Sequence, residues 1–303
     1  FFFKQKTAYE IYQCDWSSDV CSSDLSPGAA PVKPDVLGIE KALTLRTVED
    51  VDRLLAAVKA DPTTVTVIGG GFIGLETAEN MKHRGIDVTI IEAAPQVLAP
   101  LDSEMAELVL DELRQQSVDV RLNAQISEIA DDCVRLNTGE CVKSDLVVLA
   151  IGVRPETGLA RAAGIEIGDR GGIKVNQYQQ TSDPSIYAVG DAAEKTDALD
   201  GSGALIPLAN LANRHGRIVA DHITGHEVRE VESIGTAIVK VFNLTVATTG
   251  WNERRLAAAQ RKHLVIHTHP GSHAGYYPGA EQIDRKSTRL NSSHTDISRM
   301  PSS

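Results

Sequence analysis

The chain contains no run of eighteen apolar residues and no basic-then-apolar opening, so the sequence carries neither a membrane-spanning pattern nor an export leader of the ordinary layout. The cytoplasm is the default expectation. Positive charge is scarce: 30 Lys and Arg face 41 Asp and Glu, a formal charge of −11, whereas nucleic acids and anionic membranes reward clustered bases. Neither is expected as a partner. Four cysteines in 303 residues are too few for a disulfide framework, which agrees with a reducing compartment. The content that remains, 42% hydrophobic and 23% charged, suits a globular chain of two or three domains or parts of domains.

Aromatics are few, and their distribution is uneven. Phe1, Phe2, Phe3, Tyr9, Tyr12 and Trp16 crowd residues 1–25, a segment with neither helical nor strand periodicity and no initiating Met. This segment and residues 285–303, from Arg285-Lys-Ser-Thr onward, resemble translated sequencing-adapter read-through and are expected to lie outside the fold. Cys14 and Cys21 belong to the first of them and are not read as a redox pair.

Gly69, Gly71 and Gly74 stand at Gly-x-Gly-x-x-Gly spacing, after the apolar run Val65-Thr-Val-Ile68 and before a helical pattern. Gly69 suits a tight turn, Gly71 a close approach of backbone to a pyrophosphate, and Gly74 close packing of helix on strand. A second apolar run, Asp87-Val-Thr-Ile-Ile91, ends at Glu92, where the βαβ unit places the carboxylate that holds a ribose 2′-hydroxyl. Glu92 would repel a 2′-phosphate, and Ala93, Ala94 and Pro95 offer no arginine to receive one, so NADH is favoured over NADPH.

Around this motif, Thr47 can cap a helix to about Ala60, and Asp102 opens a helix whose Ala106, Val109, Leu110 and Leu113 share one face. Val118, Val120 and Leu122 alternate as a strand, and Cys133–Leu136 and Cys141–Lys143 read as a hairpin around Asn137-Thr-Gly-Glu140. Leu146–Ile151 reads as a buried strand ending at Gly152. A doubly wound α/β domain is therefore expected over residues 62–152. Further on, the short apolar strand around Tyr187 delivers Gly190 and Asp191 at its C-terminal end, a place where α/β sheets bind small ligands.

Through Gly69–Gly74, Leu149-Ala-Ile-Gly152-Val-Arg-Pro155 and Thr181–Asp191, the chain resembles the FAD-dependent pyridine nucleotide-disulfide oxidoreductases. The resemblance implies a Rossmann-type NAD(H) domain inserted in a partial FAD-binding domain. Residues 26–61 would close the first FAD half, 62–152 bind NAD(H) and 153–230 form the second FAD half. Phe72 would gate nicotinamide access with Glu76 behind it, Ile73 and Gly152 would join the NADH site, and Gly190 and Asp191 would hold FAD. Pro207, Leu208 and Ala209 match the helix start that faces the flavin, although Leu211 stands where many relatives have Pro. Residues 231–284 are similar to the α+β dimerisation domain of the coenzyme A-disulfide reductase and NADH oxidase branch, cut short, which implies a homodimeric parent.

The resemblance also implies that the first FAD half and the branch's redox cysteine are missing. Tyr276 and Tyr277 are then substrate-side candidates at best, no catalytic residue proper is present, and the piece alone is expected to be inactive. The implied parent passes hydride from NADH through FAD to a disulfide, a cysteine sulfenic acid or oxygen. A ferredoxin or rubredoxin reductase and a non-catalytic nucleotide-sensing module are the alternatives. Cys133 and Cys141 are read as small half-buried hydrophobes rather than a pair. His263, His267, His269 and His273 are read as a polar loop, because no carboxylate joins them at ligand spacing, and no metal is expected.

Overall fold

The computed structural model describes residues 23–228 and 233–290. Two short strands, β1 (Ser23–Leu25) and β2 (Ala29–Pro31), precede β3 (Leu43–Thr44) and helix α1 (Val48–Lys59). The helix starts on a reciprocal cap: Asp50 N–H donates to the Thr47 hydroxyl at 3.2 Å, and the Asp50 carboxylate accepts from Thr47 N–H at 3.0 Å. Then come β4 (Thr64–Ile68), α2 (Phe72–Lys82), β5 (Asp87–Ile91), α3 (Ser103–Gln115) and β6 (Asp119–Arg121). An antiparallel meander of β7 (Ile126–Ile129), β8 (Cys133–Leu136) and β9 (Cys141–Lys143) leads back to β10 (Leu146–Leu149).

The central sheet runs β3-β10-β4-β5-β6 with every neighbouring pair parallel. Strand alternation sends Val65 and Val67 of β4 into one core with Leu75 and Ala78 of α2 and Val109 and Leu113 of α3. Ile68, Ile91, Val147 and Leu149 enter a second core with Ile129, Val134 and Leu136 of the meander. Helices thus cover one face and the meander the other, and β10 is buried at all four positions. The chain reverses its winding between β4 and β10, the switch point at which such sheets open a crevice.

A smaller unit follows with β11 (Val153–Pro155), α4 (Gly158–Ala162), β12 (Ile173–Lys174), β13 (Ile186–Ala188), β14 (Ala193–Thr196), β15 (Gly203–Ala204) and α5 (Ala209–Ile223). β11 pairs antiparallel with β2, so the chain enters and leaves the central domain through one ribbon. The last part holds β16 (Ala237–Val241), β17 (Leu244–Thr248), α6 (Glu253–Ala258), β18 (His263–Thr268) and β19 (Arg285–Leu290). The β16–β17 hairpin docks on the central domain: Val239, Val241 and Phe242 join its helical core, and Phe242 N–H donates to Glu79 at 3.0 Å. Asp197 ties α6 to the smaller unit by accepting from Trp251 Nε1 at 3.0 Å and Arg255 Nη2 at 2.8 Å.

Three sequence expectations change here. Ser23–Leu25 pairs in parallel with β13, and Leu25 is buried, because its side chain fills an alanine-rich core with Ala160, Ile173 and Ala188. Likewise Arg285–Leu290 pairs with β18, where Lys286 finds three carboxylates. Cys133 and Cys141 form a disulfide with their Cα atoms 5.8 Å apart. The β8–β9 register sets Cys141 opposite Arg135, one diagonal step from Cys133, so the hairpin itself brings the two cysteines together. Cys14 and Cys21 lie outside the described residues, among which no helix is long and apolar enough to cross a membrane.

Candidate functional site

The C-terminal ends of β4, β5 and β10 open onto a cleft of about 1280 Å³. Its first wall is the turn from β4 into α2. Gly69 adopts φ +111°, and a Cβ there would lie 2.4 Å from Ala150 O. A Cβ on Gly74 would meet Gly69 O at 1.9 Å, so the first turn of α2 sits directly on the strand end. At Gly71 a Cβ would meet nothing within 4 Å, and this residue lines the cleft. Gly69 and Gly74 thus stand where a side chain would meet backbone, and Gly71 where it would meet open space.

Glu92 reaches into the same wall. Its Oε2 accepts from Gly70 N–H at 2.6 Å and its Oε1 from Ala94 N–H at 2.7 Å, so one half-buried carboxylate ties the glycine turn to the loop after β5. Phe72, Ile73 and Glu76, on the first turns of α2, also line the cleft, as does Gly152 after β10. Asp191, Pro207, Leu208 and Ala209 face the same space from the smaller unit. Leu208 is the N-cap of α5 and makes no side-chain cap; Leu211 N–H donates to Asn210 Oδ1 at 2.7 Å, and the Ala209 and Asn210 N–H groups stand at the helix start.

The remaining expected residues lie elsewhere. Gly74 packs beneath the wall, and Gly190, at φ +73°, turns the chain into Asp191 without lining the cleft. Tyr276 and Tyr277 lie away from the cleft lining, 84% and 57% exposed, with ring centroids 4.9 Å apart.

Sequence reasoning missed Arg46, Gln96, Gln125 and Thr236–Val239, which also line the cleft. Arg46 lies two residues after β3 and Gln125 immediately before β7, positions that no local motif marks. Thr236–Val239 come from the strand assigned to another unit and carry no local sign of their place. Also unforeseen is Lys195, buried beneath Asp191; burial pulls its ammonium down to about 8, against the opposing influence of Asp191.

The histidines also differ from expectation: His263 and His267 lie on strand β18 rather than in a loop, and carboxylates reach them through space. His263 Nε2 lies 3.2 Å from Glu253, His267 Nε2 3.8 Å from Glu104 and His269 Nδ1 2.6 Å from Asp284. Among the described residues, Asp102, Glu104 and Glu253 converge closely enough to hold a cation, and the Lys286 ammonium is bonded to all three, at 2.9 Å from Asp102. The Asp102 side chain accordingly does not cap α3; it accepts from Glu253 N–H at 2.8 Å.

Comparison with known proteins agrees with this geometry. Residues 25–216 match the pyridine nucleotide-disulphide oxidoreductase family. An NADH oxidase of Methanocaldococcus jannaschii is 34% identical over 270 residues, covering 86% of this chain and 60% of its own length. A coenzyme A disulfide reductase of Staphylococcus aureus is 34% identical over 259 residues, covering 84% and 58%. The crystal structure of reduced Bacillus anthracis CoADR-RHD superposes with a TM-score of 0.86 at 45% identity, over 88% of this chain and 49% of that one. The chain therefore spans about 60% of the length of the curated relatives it matches. With its glycine turn, its parallel sheet and its match over residues 25–216, the chain belongs to the pyridine nucleotide-disulphide oxidoreductase family.

Proposed function

We propose that this chain is the part of an NADH-dependent flavoprotein oxidoreductase that aligns a nicotinamide with a flavin. The observation that carries the reading is the single cleft shared by Gly69–Ile73 and Glu92 on one side and Asp191 and Pro207–Ala209 on the other. Two dinucleotides need such a common space for their reactive rings to meet. The fit is supported by Gly71, whose missing Cβ opens onto the cleft, and by the start of α5, whose N–H groups favour negative charge nearby.

In this reading Gly69, Gly71 and the first turn of α2 seat the NADH pyrophosphate, and Glu92 orients the adenine-side ribose. Glu92 also disfavours a 2′-phosphate, so NADH is preferred to NADPH. Phe72 and Glu76 guard the nicotinamide end, with Ile73 and Gly152 beside it. Asp191 holds hydroxyls of the flavin side chain from a turn set by Gly190, and Pro207–Ala209 face the ring. The bound flavin supplies hydride acceptance and onward electron transfer. Among the described residues no cysteine lines the cleft, so a thiol step for a disulfide acceptor draws on a residue outside that lining.

The acceptor class is a small-molecule disulfide or oxygen, as the names of the relatives suggest, and the working form is a cytoplasmic homodimer in which Tyr276 and Tyr277 face the partner. The test is twofold. The purified chain is titrated with NADH and NADPH by nicotinamide fluorescence, and saturable NADH binding lost in Gly71→Ala is expected. A longer product restoring the relatives' length is then purified and mixed anaerobically with NADH. Bleaching of its yellow absorption supports the reading, and a colourless protein indifferent to FAD defeats it.

A further inference from the structure

The smaller unit places a buried amine behind the carboxylate it offers to the cleft. Lys195, 4% exposed on β14, donates from Nζ to Gly190 O at 2.5 Å and to Ala193 O at 2.9 Å. Those two carbonyls bracket the one-turn 3-10 segment Gly190–Ala192, whose middle residue is Asp191. In a trans peptide the C=O and N–H point in opposite directions. Turning the Gly190 carbonyl toward Lys195 therefore turns the Asp191 N–H away from it.

The turn is not held by local propensity alone. Gly190 has φ +73°, and neither its N-cap Val189 nor any other side chain caps the segment. Ala192 and Ala193 are fully buried and contribute only small apolar contacts. The turn's backbone bond, from Ala193 N–H to Gly190 O, closes on the same carbonyl that Lys195 holds, so Lys195 adds a second donor there and ties that carbonyl to Ala193 O; burying an amine for this is costly without a compensating role.

We infer that Lys195 is a positioning residue: it fixes the Gly190–Ala193 turn so that Asp191 is presented to the cleft in one orientation. This rests on the reading of Asp191 as a flavin-holding carboxylate. The clamp itself is a property of the free chain. It survives loss of the ammonium proton, because a neutral amine keeps two N–H donors for the two carbonyls.

The test uses the purified chain and its Lys195→Met, Lys195→Arg and Asp191→Asn variants. Amide hydrogen exchange across residues 190–193 is measured without flavin, NADH affinity follows from fluorescence titration of the same chains, and FAD affinity is read on the longer product that restores the relatives' length, carrying the same substitutions. In Lys195→Met the turn is expected to exchange about tenfold faster and FAD to bind about tenfold more weakly, with NADH affinity unchanged. Asp191→Asn is expected to weaken FAD binding while leaving exchange at the turn as in the parent, and Lys195→Arg to restore part of the protection. Unchanged exchange in Lys195→Met overturns the inference, as does parallel weakening of NADH binding. Should Lys195→Met fail to fold, a turn in Lys195→Arg that exchanges as fast as unstructured chain overturns it and partial protection supports it. If that longer product takes up no FAD, the reading of Asp191 fails, while the exchange comparison still decides whether Lys195 is the clamp.

Discussion

Two glycines three residues apart make a sharp pair for mutation. In Gly74→Ala the new methyl would lie 1.9 Å from Gly69 O, about 1.5 Å inside ordinary van der Waals contact, against backbone that cannot swing aside. Helix propensity favours alanine here by about 0.5–1 kcal/mol, but overpacking of this kind costs about 1–3 kcal/mol. Against backbone at this distance the upper overpacking figure applies, so the net expectation is destabilisation by about 2 kcal/mol, a drop in melting temperature of roughly 4–8 °C. Gly71→Ala differs. Its backbone, at φ −83° and ψ −172°, suits alanine, and the methyl enters open space, so stability should change by less than about 0.5 kcal/mol. That same space is where the pyrophosphate would sit, and NADH affinity should fall at least about tenfold, near 1.4 kcal/mol. Thermal melts and nicotinamide fluorescence titrations of both variants provide the assay. If Gly71→Ala melts early and binds NADH normally, or Gly74→Ala is fully stable, the reading of the turn is wrong.

Glu92→Gln replaces a carboxylate that accepts two backbone N–H bonds with an amide that can accept at only one oxygen. NADH binding should weaken by about 1–2 kcal/mol and the ratio of NADH to NADPH affinity should shrink toward one, which parallel titrations will reveal. Asp197→Asn removes a buried charge from Trp251 and Arg255, and urea unfolding should report a loss of about 1–3 kcal/mol, discounted because Arg255 is half exposed. Lys195 titrates near 8 in the folded chain against 10.5 as reference, so from pH 8 to 10.5 the unfolded chain binds the extra proton. Stability owed to this group therefore rises with pH across that window, by about 3 kcal/mol in all, and a denaturation series on the parent minus Lys195→Met should show that slope. A flat or falling difference would mean that Lys195 is not buried as described.

Much of the central domain was legible because its signals are local. The Thr47 and Asp50 cap, the buried face Ala106, Val109, Leu110 and Leu113, and the glycine turn each depend on residues within one or two turns of one another. The cleft's second wall was legible through Asp191 and, by resemblance, Pro207–Ala209, while the residues next to Asp191 in sequence state its turn but not what holds it. Three features escaped because they join distant residues. Lys286 meets Glu104 across 182 positions, Asn243 meets Glu112 across 131, and Thr236–Val239 reach the cleft through docking on α2 and α3. Strand alternation says that β16 has an inner face; it does not say against which helix that face rests. The pairing of Cys133 with Cys141 was hidden in a register, since the hairpin was recognised but its diagonal neighbours were not.

The docking of the β16–β17 hairpin has a consequence for traffic through the cleft. The hairpin is stitched to α2 through Glu79 and Phe242, while the segment after it is bolted to the smaller unit through Asp197. One side of the entrance is thus fixed to the central domain, and its continuation reaches across the gap to the smaller unit. The same segment also returns to the central domain, where Asn252 Nδ2 donates to Leu101 O at 3.2 Å and Glu253 N–H to Asp102 at 2.8 Å, so residues 251–253 brace the two walls of the cleft against parting.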